Sequence, residues 1–275
     1  MGKNKKLKKY FNLFSGYHRA YPDFLIIGAQ KAATTSLFYY ITQHPDVEPP
    51  LKKEIRYFDL KYHLGSVWYR SHFPLKSKLK GAKITGEKST DYVFHPKAPQ
   101  RIKESGIQPK LILLLRDPAR RAISQYNHYH RRGIEKRSMQ EAFEQEPQMV
   151  SDLYSAMLQP TVLNQKNIKN YIRFAYLQKG LYLKQIKRFE EVINPGHLYI
   201  ESMENLMSEP ARVVKETYQF LGIDDRFLPD DMTTQNEGSY EMANNNEMLQ
   251  WLHNYFQTDN EALFKYLGKR FPWGK

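Results

Sequence analysis

The stretch Phe24-Leu-Ile-Ile-Gly28-Ala-Gln-Lys31-Ala-Ala-Thr34-Thr35-Ser36 decides the fold. Its first four residues are apolar without alternation and end in glycine, the pattern of a strand buried on both faces in a parallel sheet. The period then changes. Leu37, Tyr40 and Ile41 fall at i, i+3 and i+4, so the spacing predicts a helix from about Thr34 to the stop at His44-Pro45. The small residues between strand and helix let backbone N–H groups approach a bound group. The helix start adds donors and the positive end of a dipole. Lys31 contributes a full charge, and Thr34 and Thr35 contribute hydroxyls, so Lys31, Ala32, Ala33, Thr34, Thr35 and Ser36 form a candidate anion cradle. The G-x-x-x-x-G-K-[ST] spacing of a Walker loop is absent.

Outward from this unit the chain keeps alternating short apolar runs with amphipathic stretches, which predicts an α/β domain with a central parallel sheet flanked by helices. Lys83–Glu87 reads as a short strand and Lys110–Leu115 as the clearest buried one. Asp117-Pro118 then supplies an N-cap and a first-turn proline. Tyr182, Ile186, Phe189 and Ile193 mark a helix, His197–Glu201 a fourth strand, and Pro210 to Gly222 another helix. Two helical stretches are expected around Met248–Phe256 and Leu263–Leu267, while the polar stretch 134–178 resists division. A long loop holds Gln235-Asn-Glu237-Gly238.

Ligands of parallel sheets gather at the carboxyl ends of strands. Arg116 falls there, after Leu115, and Ser124 follows about two helical turns later. A guanidinium fork and a hydroxyl suit a phosphate monoester. Two anion sites at two strand ends point to a nucleotide with phosphates at both ends of its sugar.

Composition narrows the class. The 275 residues carry 42 Lys+Arg against 29 Asp+Glu, a formal charge of +13, and no cysteine. Disulfides, thiolate zinc, iron–sulfur clusters and a cysteine nucleophile are excluded. No clustered ligand set for another metal is legible. Lys3, Lys5, Lys6, Lys8, Lys9 and Arg19 precede the first acid, Asp23, so residues 1–20 read as a basic, flexible arm and 21–275 as the domain. The longest strictly aliphatic run, Leu111–Leu115, is far short of the ~20 residues of a membrane span. A soluble, cytoplasmic protein is expected.

The chain resembles sulfotransferases that use 3′-phosphoadenosine 5′-phosphosulfate (PAPS), especially the heparan sulfate group and its bacterial relatives. The resemblance rests on Ile26-Ile-Gly-Ala-Gln-Lys31-Ala-Ala-Thr34-Thr35, His44-Pro-Asp46, Lys53-Glu54-Ile-Arg56-Tyr57-Phe58 and Gly86-Glu87-Lys88-Ser-Thr-Asp-Tyr92. It continues through Leu114-Leu-Arg116-Asp-Pro-Ala-Arg-Arg121-Ala-Ile-Ser124-Gln-Tyr126, Gly180-Leu-Tyr182 and Phe271-Pro-Trp273. It implies a P-loop-kinase-like sulfotransferase fold with PAPS as donor, adenosine 3′,5′-bisphosphate as product and no metal. By position, the first loop would hold the 5′-phosphosulfate, with Lys31 on the leaving oxygen, and Arg116 and Ser124 the 3′-phosphate. Glu54 would be the general base, with Glu87 as its rival, and Lys88 and Arg56 would face the acceptor. The acceptor would be a hydroxyl or amine, most naturally on an acidic carbohydrate, or alternatively a lipid or polyketide-type alcohol. His95, His128 and His130 match no motif position. Two departures stand out: Ala33 replaces a family glycine, which requires a negative φ there, and Glu237-Gly238 stands where relatives carry Lys-Gly.

Two other classes compete. A kinase would need a Walker lysine and a magnesium-holding acid, and neither is legible. A polyanion- or nucleic-acid-binding protein would need basic residues interleaved with aromatics, without the two spaced motifs. No specific nucleic acid is therefore expected as a partner, and the sequence sets no oligomeric state.

Overall fold

A computed structural model describes residues 12–81, 83–158, 165–233 and 246–274. Among them, four parallel strands form one sheet in the order β2-β1-β3-β4: β1 is Phe24–Gly28, β2 Gly86–Lys88, β3 Lys110–Leu115 and β4 Leu198–Ser202. Phe24 lies beside Gly86 on one side and Lys110 on the other, and Leu111 beside Leu198. All four carboxyl ends therefore share one edge. The two central strands explain their own sequences, because Phe24–Ile27 and Leu111–Leu115 are completely buried and need apolar side chains on both faces.

Helices cover the sheet. Thr34–Ile41 buries Leu37, Tyr40 and Ile41 against it and is crossed by Pro210–Leu221, whose Tyr218 donates to the Tyr40 carbonyl at 3.1 Å. Tyr182–Glu190 buries Tyr182, Ile186 and Phe189, and Gly222 ends Pro210–Leu221 in the left-handed conformation. Pro118–His130 seats a second apolar cluster with Phe143, Tyr176, Leu252 and Phe256.

Three expectations change. The two closing helical stretches are one helix, Asn246–Leu267, because no glycine or proline interrupts the polar turn between them. The second strand lies slightly later, at Gly86–Lys88. The polar stretch 134–178 contains Met139–Glu144, Glu146–Leu158 and Gln165–Phe174, the first opened by a reciprocal cap between Ser138 and Glu141.

Residues 12–20 of the expected arm are held against the domain. The Arg19 guanidinium is buried and donates to Phe73 O at 2.5 Å, Ser15 Oγ at 2.8 Å and Asn12 Oδ1 at 2.7 Å. The first five lysines and the Gln235–Gly238 stretch lie outside the described residues. No described helix is long and apolar enough to cross a membrane.

Candidate active site

Gly28 ends β1 where the chain must pass close to its neighbour; a Cβ there would lie 2.5 Å from Val93 Cγ1. The loop then turns through Lys31 at φ 73° and Ala33 at φ 52°, both left-handed. The negative φ expected at Ala33 is thus overturned. The chain adopts this conformation at Ala33 to swing from loop into helix, and the methyl is tolerated at a cost in strain. Ala33 is the N-cap residue and offers no side-chain acceptor to the first turn of Thr34–Ile41. Thr34 and Ser36 are buried, while Lys31 and Thr35 keep partial exposure.

The second motif meets the first. The Arg116 guanidinium donates to the Lys31 carbonyl at 2.9 Å, so the two loops after β1 and β3 form one continuous wall. Behind Arg116, Tyr182 Oη donates to its carbonyl at 2.8 Å. Asp117 caps Ala119 N at 2.9 Å and receives His253 Nε2 at 3.0 Å, while its own N–H donates to Glu204 at 3.0 Å. Trp273 Nε1 donates to the other Glu204 oxygen at 3.0 Å. The Gly180-Leu-Tyr182 and Phe271-Pro-Trp273 motifs thus support the Arg116 loop from below. Ser124 lies buried on the helix that follows.

The third and fourth motifs are also brought together. Ile55 N donates to Glu87 Oε2 at 3.1 Å, Arg56 N to Ser89 Oγ at 3.1 Å and Tyr57 N to Tyr92 Oη at 2.8 Å. This holds Glu54 over β2, where Lys88 Nζ donates to Glu54 Oε1 at 2.9 Å. The Glu54 side chain is 43% exposed and that of Lys88 only 7%.

Glu87 is fully buried and accepts four hydrogen bonds: Tyr69 Oη at 3.0 Å and Tyr92 Oη at 2.7 Å on one oxygen, Ser89 Oγ at 2.8 Å and Ile55 N on the other. Burial raises its pKa above the ordinary carboxylate value, against the pull of those donors. No face of it is open to an alcohol. Its hydrogen bonds make it an organiser of the Glu54 loop.

Arg56 also differs from the acceptor-facing role expected of it. At φ 62°, its guanidinium is bound by Asp59 at 2.5 Å and Asp91 at 3.0 Å. Asp91 in turn holds Lys179 Nζ at 2.6 Å, and Lys179 donates to Gln30 Oε1 at 2.9 Å. Burial would raise the Asp91 pKa, but Lys179 and Arg56 outweigh it and hold the carboxylate below its usual value. Gln30, Asp59, Asp91 and Lys179, which the sequence reading does not single out, all lie in or beside the quoted motifs.

The histidines are dispersed. His95 is buried, which pushes its pKa well down, and His130 stacks on Tyr126. His128 is held below its usual pKa by burial and by the charge of Lys31. Among the described residues no group of three or more His, Asp or Glu is arranged to hold a metal ion.

This arrangement has counterparts in known proteins. The sulfotransferase domain profile matches residues 21–265. A membrane-associated sulfotransferase of Dictyostelium discoideum is 27% identical over 92% of this chain and 66% of its own length. Heparan sulfate glucosamine 3-O-sulfotransferase 3B1 of Mus musculus is 33% identical over 77% of this chain and 49% of its own. The chain thus spans between about half and two thirds of these relatives. Among solved structures, a sulfotransferase from Alicyclobacillus acidocaldarius superposes with a TM-score of 0.71 at 25% identity, covering 92% of this chain and 98% of that one. On this match over residues 21–265, the chain belongs to the sulfotransferase domain family.

Proposed function

We propose that the chain transfers a sulfuryl group from PAPS to a hydroxyl on a carbohydrate. The observation that supports this reading is the 2.9 Å hydrogen bond from Arg116 to the Lys31 carbonyl, which sets the loops after β1 and β3 side by side at the ends of adjacent strands. That spacing fits a nucleotide with anionic groups at both its 5′ and 3′ positions. Lys31, Ala32, Ala33, Thr34, Thr35 and Ser36 would hold the 5′ end, and Arg116 with Ser124 the 3′-phosphate. PAPS, when bound, supplies an activated sulfuryl group.

The protein residues then have separate tasks. Lys31 places positive charge where negative charge builds as the bond to the nucleotide phosphate breaks, an interaction stronger in the transition state than before it. Glu54 takes the proton of the attacking hydroxyl. It is oriented by Lys88, and its partial exposure leaves a face for the acceptor. Glu87 is better read as the support of that loop than as a second base. Lys52, Arg131 and Arg132 are solvent-facing cations suited to an acidic glycan, in keeping with the heparan sulfate relative. A lipid or polyketide-type alcohol would undergo the same chemistry, and a labelled-sulfate transfer screen over glycans, lipids and small alcohols separates them.

Adenosine 3′,5′-bisphosphate and AMP test the nucleotide reading directly. The bisphosphate is expected to raise the melting temperature far more than AMP does. Arg116→Ala should weaken bisphosphate binding roughly 10- to 150-fold, the loss expected for hydrogen bonds to a charged group, and weaken AMP binding less, since AMP loses only the support Arg116 gives the Lys31 carbonyl. Equal response of the wild type to both nucleotides would overturn the assignment.

A further inference from the structure

A cleft of about 540 Å³ lies among the helices Glu146–Leu158, Gln165–Phe174 and Tyr182–Glu190, and none of the residues proposed for sulfuryl transfer lines it. Its floor is apolar. Phe94 and Tyr171 stack there with ring centroids 4.6 Å apart and planes 15° from parallel, beside Val150, Tyr154 and Leu181. The helix Tyr182–Glu190 supplies the polar side. Its Tyr182, Ile186 and Phe189 are buried, which leaves Lys184, Lys187 and Arg188 on the cleft, against one acid, Glu191.

Two polar groups of this lining lack the partners that burial normally demands. Tyr171 is 3% exposed, yet its hydroxyl makes no hydrogen bond among the described residues. Arg188 is half-buried and uses only Nη2, which donates to Phe94 O at 3.2 Å and Val93 O at 3.5 Å. Its Nε and Nη1 meet no acceptor among the described residues, and no described carboxylate, Glu191 included, lies within ion-pair distance. Burial therefore holds the Arg188 pKa below its ordinary value, whereas Arg56, buried but paired with Asp91 and Asp59, is raised. The two groups also feel each other: burial drives the Tyr171 pKa up, and the charge of Arg188 pulls it back.

We infer that this cleft is a second small-molecule site, apart from the one proposed for transfer, and that it takes an aromatic carboxylate. The acid would sit on the free edge of the Arg188 fork and the Tyr171 hydroxyl, and the ring on Phe94, Tyr154 and Leu181. An inorganic anion would satisfy the guanidinium but leave the apolar floor in water. A neutral aromatic would cover the floor but leave the desolvated charge uncompensated. An aliphatic acid would forgo the edge and face contacts that a ring makes beside three aromatic residues. Lys184, exposed one turn before Arg188, adds attraction for the acid.

Calorimetric titration of the full chain with 2-naphthoate, 2-naphthylmethanol, octanoate and acetate tests this. 2-Naphthoate is expected to fill a single saturable site, with the other three each roughly tenfold weaker or more. Adenosine 3′,5′-bisphosphate should not displace it, because no residue proposed for the nucleotide lines the cleft. Arg188→Met should weaken 2-naphthoate roughly 10- to 150-fold, the range for hydrogen bonds to a charged group. Tyr171→Phe keeps the ring stack and removes only the hydroxyl, so it decides the matter should Arg188→Met fail to fold. It should weaken 2-naphthoate about tenfold and leave the melting temperature unchanged or raised, since the lost hydroxyl bonds to nothing in the free protein. No saturable binding, equal affinity for the alcohol, octanoate or acetate, displacement by the bisphosphate, or full affinity in Tyr171→Phe overturns the inference.

Discussion

Glu54 and Glu87 are the same residue type in neighbouring motifs, and their surroundings set them apart. Glu87 spends both oxygens on four protein donors in the dry interior, so protonating or replacing it would dismantle the loop. Glu54 has Lys88 on one oxygen and solvent on its other side. A positioned carboxylate contributes roughly 10²–10⁴-fold as a general base, and Glu54→Gln is expected to lower kcat by that factor. Affinity for adenosine 3′,5′-bisphosphate should stay within about twofold, because Glu54 touches neither anion loop, so calorimetric titration beside a turnover assay separates the two effects. Full turnover in this variant would remove Glu54 from the role. Both glutamates were legible in the sequence as motif members. Their division of labour was not, since it depends on Tyr69, a residue from a distant helix that no local pattern ties to β2.

At the scale of elements, β1 and β3 were readable because total burial leaves only apolar residues, and the helices after them because their faces repeat. The stretch 134–178 was opaque because its organisation comes from one buried carboxylate. Glu146 accepts from the backbone N–H of Tyr176 at 2.8 Å, Leu177 at 2.5 Å and Gln178 at 2.8 Å, joining two segments that share no period. Burial outweighs these donors and pushes its pKa from 4.5 up to about 7. The folded state therefore holds this proton more tightly than the unfolded chain does. Its contribution to stability is full below pH 4.5 and is lost as pH climbs through about 7. Glu146→Gln should flatten that part of the stability–pH curve in denaturant titrations. It should also cost about 1–3 kcal/mol at the acid end, because the amide turns a donor toward a backbone N–H. A slope unchanged by the substitution would show that another group titrates there. The first loop offers a second test. Relief of left-handed strain at Ala33 is worth about 1–2 kcal/mol, while glycine loses ~0.5–1 kcal/mol more on folding. Ala33→Gly should thus raise the melting temperature by about 1–4 °C, and a decrease would mean that the methyl packs productively.

Across the whole molecule, the parallel sheet delivers the loops after β1, β2 and β3 to one edge, and a buried ionic network ties them to the Glu54 loop and to Lys179. Asp91, after β2, binds Arg56 of the Glu54 loop and Lys179 of the segment before Tyr182–Glu190, and Lys179 reaches Gln30 in the loop after β1. The sequence contains each member but cannot pair them, since Lys179 and Asp91 stand 88 positions apart and meet only once the sheet has formed. Within the network Arg56 and Lys179 balance Asp59 and Asp91. Removing Lys179 alone leaves one buried negative charge in excess, and breaking a buried pair in this way costs about 3–5 kcal/mol. Lys179→Met is expected to lose that much stability. Adding Asp91→Asn restores the balance with little change of shape, so the double variant should be more stable than Lys179→Met, with a coupling of at least ~1 kcal/mol in a double-mutant cycle. Gln30 would still lack its anchor, so bisphosphate affinity should remain reduced in the double variant although its fold has recovered. Additive stabilities would show that the charges are independent. Recovery of affinity together with stability would show that the network serves the fold alone.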